Sequence, residues 1–154
     1  MSALAGCALT ALALAGCATP ESSPTPDSSA PSSAPADIAT ADSDLGEIIV
    51  DGDGMTAYVF DKDVANSGES ACTGECVALW SAIMSASDEP TVDGVTATVD
   101  TIAVDGSQQI TINGLPIYTF ANDETPGETN GQGVKDVWWV LSPEGEKIST
   151  RVGY

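Results

Sequence analysis

The two cysteines of the central region, Cys72 and Cys76, have the clearest potential for chemistry in this chain. In an oxidising compartment they are expected to form a disulfide that pins the start of a helix, with Cys72 just before its first turn. Closing so small a loop stabilises the fold by about 2 kcal/mol. The alternative is a redox pair, because a thiolate at a helix N-terminus is reactive. Both interpretations stay open at this point.

Two copies of a tyrosine, phenylalanine and aspartate motif form the second group of candidate residues. They are Tyr58, Phe60 and Asp63, followed by Tyr118, Phe120 and Asp123. The two rings of each copy stand two positions apart, so they share one face of a strand. We interpret the rings as core anchors and expect each aspartate to cap the following turn by a bond to the backbone. The alternative is an aromatic ligand platform with an acidic rim, suited to a sugar or a quinone.

The composition excludes several classes of function. Lys and Arg number 4 against 23 Asp and Glu, and the formal charge of −19 repels nucleic acid and anionic lipid surfaces. The chain has no histidine, so serine–histidine and cysteine–histidine catalysis cannot occur within it. The commonest transition-metal ligand is missing for the same reason. We therefore predict a protein that is not an enzyme, with no catalytic residue, metal or cofactor.

The N-terminal residues carry a lipoprotein signature. Residues 1–16 are almost wholly Ala, Leu and Gly, and the sequence Leu14-Ala15-Gly16-Cys17 is typical of a signal peptide cleaved before a lipid-bearing cysteine. A second copy ending in Cys7 lies too close to residue 1 to follow an apolar run. Because no Lys or Arg precedes the apolar run, we expect the native start to lie upstream. Cys17 is the predicted lipidation site.

Beyond the lipidation site the composition is that of a spacer. Residues 17–44 are rich in Pro, Ser and Ala, and such a segment buries too little apolar surface to offset its ordering entropy. We predict a disordered tether over these residues. The folded β domain is then expected over residues 45–154.

The predicted domain contains an internal duplication. Two segments align at an offset of 60 residues, and Asp53-Gly54 matches Asn113-Gly114 ahead of the two motifs. We place repeat 1 at about residues 45–90 and repeat 2 at about residues 91–145. Two pseudo-equivalent hairpins should share one sheet core, with Trp80 and Trp139 in matching places.

Strands joined by tight turns must position these residues. Asp-Gly and Asn-Gly favour two-residue hairpin turns, so residues 109–112 are predicted to pair with residues 116–120. Residues 138–141 form a further expected strand. One helix is expected over residues 73–84, with Glu75 in its first turn. The predicted fold class is mainly β, an antiparallel sheet domain with one short helix.

This ordered set of residues resembles the actinobacterial secreted-repeat lipoproteins, a family described by a Tyr-x-(Phe/Trp/Tyr)-x-x-Asp motif. The similarity runs through both motif copies, the cysteine pair with Trp80, the Asn113-Gly114 turn and Gly131-Gln132-Gly133. It implies a location outside the cytoplasm with a lipid anchor in the cytoplasmic membrane. The family has no established molecular activity, so the resemblance identifies the type of protein and leaves its chemistry open.

These inferences combine into one functional hypothesis and one alternative. We expect a cell-envelope lipoprotein that serves as a non-enzymatic structural or ligand-binding module. Its partners are then the membrane, through the lipid, and an envelope protein or a small-molecule ligand, with no nucleic acid among them. The alternative is a redox lipoprotein that passes electrons or disulfides through Cys72 and Cys76.

Overall fold

The computed structural model describes residues 35–150 of the chain. The predicted signal peptide at residues 1–16, the lipidation site Cys17 and most of the predicted tether lie outside the described residues. Within the described part, no helix is both long enough and apolar enough to cross a membrane.

Short strands make up most of the secondary structure between residues 35 and 150. In chain order they are β1 (Ile38–Ser43), β2 (Gly46–Asp51), β3 (Tyr58–Phe60), β4 (Trp80–Ala82), β5 (Met84–Ser85), β6 (Val99–Val104), β7 (Ser107–Ile112), β8 (Leu115–Pro116), β9 (Tyr118–Phe120) and β10 (Trp138–Val140). Two 3-10 turns, Gly74–Ala78 and Val134–Asp136, precede β4 and β10. The mainly β prediction is confirmed.

The strands form three antiparallel sheets. β1 and β2 make a hairpin, β10-β3-β9-β4 make a central sheet, and β5-β7-β6 make a third sheet in which β8 pairs with β7. Tyr58 and Phe60 of β3 face a core rich in aromatic rings. Ala57 and Val59 on the opposite face join a second, mainly aliphatic core. The central sheet therefore lies between two hydrophobic cores.

The duplication is centred on this sheet. β3 and β9 are antiparallel, with Tyr58 opposite Tyr118. Each is flanked by a strand from the other repeat, which places Trp138 opposite Phe60 on one side. On the other side Trp80 stands opposite Phe120. A pseudo-twofold axis thus passes between the tyrosines, and the prediction of pseudo-equivalent halves sharing one sheet core is confirmed.

In the second repeat, the tryptophan equivalent to Trp80 is Trp138. The prediction that Trp139 occupies this position is wrong. Side chains alternate along a strand, and Trp138 is the residue that pairs with Phe60 and joins the aromatic core. Trp139 packs against the aliphatic core instead, and its indole N–H donates to Asp61 at 2.8 Å.

In the second repeat the hairpin is shorter than predicted. β8 pairs with β7 through Thr111 and Ile112, so that part of the predicted pairing is confirmed. The pairing of Tyr118–Phe120 with residues 109–112 is wrong, because this strand pairs with β3 and β4. Ile117 and Tyr118 are both buried and face different cores, which requires a position between two layers.

The prediction of a helix over residues 73–84 is wrong for most of these residues. Only Gly74–Ala78 is helical, as a 3-10 turn, and Trp80–Ala82 forms β4. Trp80 and Ile83 stand three residues apart, which is the spacing of one helix face. In the structure they are buried in different cores. Tertiary packing overrides the local pattern here.

The folded part begins earlier than predicted. Ile38–Ser43 forms β1 inside the segment assigned to the tether, residues 17–44, and Ile38 is fully buried. The Ile38 N–H donates to the Thr91 carbonyl at 3.2 Å, and the Ile38 carbonyl accepts from Asp93 at 3.0 Å. These contacts are distant in sequence, so the local composition does not reveal them. A tether can extend only to the start of β1.

Candidate functional site

Two hydrogen bonds link the motif of each repeat to the motif of the other. The Tyr58 hydroxyl donates to Asp123 at 2.7 Å. The Tyr118 hydroxyl donates to Asp63, also at 2.7 Å. Because β3 and β9 are antiparallel, the aspartate that follows one strand lies beside the tyrosine that begins the other. The motif therefore ties the two halves of the protein together.

The second oxygen of each aspartate fixes the loop that follows it. Asp63 accepts from the Ala71 N–H at 2.6 Å, and Asp123 accepts from the Asn130 N–H at 2.9 Å. Each aspartate accepts from a backbone N–H as expected, but the predicted cap of the adjacent turn is wrong, because the donors lie eight and seven positions further along the chain. Each aspartate thereby joins its own loop to the other repeat's tyrosine.

Each tyrosine oxygen has further partners besides the aspartate, and sequence reasoning did not identify them. The Gly131 N–H donates to the Tyr58 oxygen at 3.1 Å, and the Ser70 and Tyr118 hydroxyls lie 2.7 Å apart. A Cβ at Gly131 would stand 2.8 Å from the rings of Tyr58 and Trp80, so only glycine fits there. The glycine-rich segment around Gly131 is the one signal that could have pointed to this close approach.

Four rings form a continuous stack inside the aromatic core. Its order is Phe60, Trp138, Trp80 and Phe120, with successive ring centroids 4.3, 3.7 and 4.3 Å apart. Both tyrosines meet the stack edge to face, Tyr58 on Trp80 at 5.3 Å and Tyr118 on Trp138 at 5.2 Å. Each such pair adds about 0.5–1.5 kcal/mol beyond the area it buries. We call this arrangement the ring stack.

The environment keeps the tyrosines neutral. Burial, and then the hydrogen bond to Asp123, raises the pKa of Tyr58 far above its ordinary range. Burial likewise raises the pKa of Tyr118, with Asp63 adding to the effect. Burial also raises the pKa of both aspartates, although their hydrogen bonds act in the opposite direction. The tyrosines therefore act as donors and the aspartates as acceptors.

The two candidate cysteines form a disulfide, with their Cα atoms 5.3 Å apart. Cys72 is buried and precedes the 3-10 turn, whereas Cys76 lies within the turn and is half-buried. The Cys72 N–H donates to the Ser70 hydroxyl at 3.2 Å, and Ser70 also contacts Tyr118. The disulfide is thus coupled to the Tyr118 network.

The burial of the motif decides between its two interpretations. Tyr58 and Tyr118 are 0% and 1% exposed, and Phe60 and Phe120 are 9% and 7% exposed. The interpretation of the rings as core anchors is confirmed, and a ligand platform made from their faces is excluded.

One cleft nevertheless reaches the ring stack from the surface, close to the pseudo-twofold axis. It has a volume of about 320 Å³. Its walls include Phe60, Trp80, Trp138, Cys76, Leu79 and Val137. Lys62, Lys135 and Glu75 also line it. We call it the axial cleft. Sequence reasoning missed it, and the rarity of lysine in so acidic a chain was the available signal.

The fold and the site define a class of protein: a duplicated antiparallel β protein whose repeats exchange tyrosine–aspartate hydrogen bonds around a ring stack. Residues 39–84 and 101–142 match a family described as a secreted repeat of unknown function. The matches cover more than half of the chain, and the protein belongs to this family. The sequence resemblance is thereby confirmed, and a secreted family places the protein outside the cytoplasm. No curated protein and no solved structure shows a significant match.

Proposed function

We propose that the protein is a lipid-anchored module, displayed on the outer side of the cytoplasmic membrane, that acts by binding and not by catalysis. One observation carries the proposal. The motif that recurs in both repeats is committed to the core, where each tyrosine is bonded to the opposite aspartate. The duplicated residues therefore build a scaffold, and interaction with other molecules is left to the surface.

The chemistry of the chain supports a binding role. Asp63 and Asp123 are 8% and 6% exposed, and each already accepts bonds from a tyrosine and a backbone N–H. They are poorly placed to exchange protons with a substrate. The chain also contains no histidine to serve as a general base. A braced scaffold of this kind suits the presentation of a preformed site.

The anchor is supported by the sequence. Leu14-Ala15-Gly16-Cys17 is followed by a Pro- and Ser-rich segment that leads to the start of β1 at Ile38. A lipid on Cys17 would hold the domain near the membrane. The charge of −19 would keep it away from an anionic surface, so the domain is presented to molecules outside.

The two cysteines near the N-terminus offer a matched test of the anchor. We expect Cys17→Ala to move the protein from the membrane fraction to the soluble or secreted fraction of cells, because the lipid acceptor is lost. Cys7→Ala should leave the protein in the membrane fraction. Both variants are expressed with the native upstream start, and the fractions are compared by immunoblotting. Retention of the Cys17→Ala protein on the membrane would contradict the proposed anchor.

The disulfide belongs to the scaffold in this proposal. Cys72 is 3% exposed, and its contacts with Ser70 connect it to Tyr118. The partial exposure of Cys76 is the observation that favours the alternative, a redox protein. A measured reduction potential separates the two roles.

A further inference from the structure

We infer that the axial cleft binds a small planar organic anion, of which an aromatic carboxylate is the simplest example. This inference rests on the proposed binding function and names the class of ligand. The cleft combines a floor of aromatic ring edges, apolar walls and two lysines, and a volume of about 320 Å³ suits a molecule of one or two rings.

The floor of the cleft presents ring edges. Phe60, Trp138 and Trp80 are consecutive in the ring stack, with interplanar angles of 12° and 4°. A cleft that touches three consecutive stacked rings must run along the side of the stack. The edge of an aromatic ring carries the positive part of its quadrupole, so edges attract a carboxylate or the face of another ring.

The walls of the cleft come from equivalent positions of the two repeats. Leu79 donates its N–H to the Cys76 carbonyl, and Val137 donates to the Val134 carbonyl in the same way. Leu79 is 46% exposed, which leaves its side chain available to a ligand. Leu79 and Val137, related by the pseudo-twofold axis, thus form two apolar walls of the cleft above the aromatic floor.

Two lysines give the cleft its charge. The chain has 4 basic residues against 23 acidic ones, yet both Lys62 and Lys135 line this cleft. Within residues 35–150 the ion pair joins Lys147 to Asp61 and uses neither cleft lysine. The Lys62 ammonium lies 5.9 Å from the centroid of the Phe60 ring. Glu75 also lines the cleft, so one acidic residue faces two basic ones.

The scaffold itself does not require these lysines. The repeat equivalents of Lys62 and Lys135 are Asn122 and Val77, which lack a positive charge. Each repeat therefore does without a positive charge at one of the two positions. The concentration of both lysines at a single cleft of an acidic protein is best explained by an anionic ligand.

The test is binding of 2-naphthoate to the full chain carrying Cys17→Ala, so that no attached lipid competes for the cleft. NMR follows the amide and methyl signals of Leu79 and Val137 during the titration. We expect saturable shifts of these signals, and a dissociation constant at least about tenfold weaker when Lys62→Gln and Lys135→Asn are combined. Asn is chosen at residue 135 because Lys135 has a positive φ of 53°, which Asn tolerates.

Two controls isolate the charge. Lys147→Gln removes a lysine outside the cleft and should change the dissociation constant less than about twofold. The neutral 2-naphthamide should bind the unaltered cleft no more tightly than 2-naphthoate binds the double lysine variant. Absence of binding, equal affinity for the amide, or equal affinity after loss of both lysines would overturn the inference. None of these results changes where the protein is anchored, so the membrane fractionation tests the proposed location independently.

Discussion

The tyrosine and the aspartate of the motif find their hydrogen-bond partners only when two repeats pack together. Tyr58 bonds to Asp123 and Tyr118 bonds to Asp63, so neither repeat contains both members of a bond. A repeat on its own would bury a phenol and a carboxylate without their partners, at a cost of about 1–3 kcal/mol for each unsatisfied group. Folding of the two halves should therefore be strongly coupled.

A double-mutant cycle tests this exchange. Tyr118→Phe removes the donor to Asp63 and should lower the free energy of unfolding by about 1–3 kcal/mol. The effect should shrink when Asp63→Ala is already present, because Ala offers Tyr118 no acceptor and the two changes then remove the same bond. Chemical unfolding of the two single variants and of the combined variant gives the coupling energy.

The same tyrosine supplies the control for the cycle. Asp123 belongs to the same motif copy as Tyr118 but bonds to Tyr58, so Tyr118→Phe and Asp123→Ala should be nearly additive. A larger coupling between Tyr118 and Asp123 than between Tyr118 and Asp63 would show that the motif acts within one repeat.

Among the elements, the turns were predictable because their requirements are local. Asn113 and Gly114 have φ values of 50° and 81°, and Asp105 and Gly106 have 49° and 82°. Asn, Asp and Gly adopt such values at low cost, so their order in the sequence reveals a hairpin. Burial of the motif rings was predictable for a similar reason, since their spacing places them on one face of a strand.

The partners of the strands were not predictable from the same patterns. The Tyr-Val-Phe sequence of β3 is buried on both faces, and period-two spacing does not say which strand lies beside it. Trp80 joins a strand because Phe120 stands opposite it, a contact between residues 40 positions apart. The hydrogen bonds between the tyrosine of one repeat and the aspartate of the other depend on which strands pair. They could therefore not be predicted from a single sequence.

The disulfide holds the 3-10 turn that precedes β4. Its reduction potential tests whether this role is structural. Cys72 is 3% exposed, so an external thiol reaches its side of the disulfide poorly. We expect a reduction potential below about −300 mV in equilibrium with a dithiol buffer, as is typical of structural disulfides. Near-UV circular dichroism should change on reduction, because Ser70 connects Cys72 to the ring network.

A clearly higher potential would contradict the structural role. It would favour the redox alternative, with the half-buried residue Cys76 as the point of attack. Ala71→Ser leaves both sulfurs in place on the same loop and serves as the control for the measurement.

The molecule as a whole combines an acidic surface with two buried carboxyl groups. Burial is the largest influence on Asp63 and Asp123 and raises the pKa of both above the ordinary value of 3.8. Glu128 shows the opposite shift. Backbone N–H groups of Glu124 and Thr125 lower the pKa of Glu128. The response of the protein to pH is therefore the sum of opposing contributions.

The contribution of the buried pair has a definite sign. Between pH 3.8 and the raised native pKa, the folded protein binds more protons at Asp63 and Asp123 than the unfolded chain does. Their contribution to the free energy of unfolding is fully present below pH 3.8 and is lost as the pH rises through the native pKa. We expect Asp63→Asn with Asp123→Asn to flatten the fall in stability with rising pH, as measured by urea unfolding.

The test requires a variant of equal charge, because repulsion among 23 acidic residues also weakens the fold as the pH rises. Asp93→Asn with Asp105→Asn removes two exposed carboxylates and should retain more of the unaltered protein's slope than the buried pair of substitutions. Absolute stability is not the readout, since Asn at residue 63 cannot accept from both Tyr118 and Ala71. Equal slopes for the two double variants would mean that the hydrogen bonds of the buried aspartates fully offset their burial.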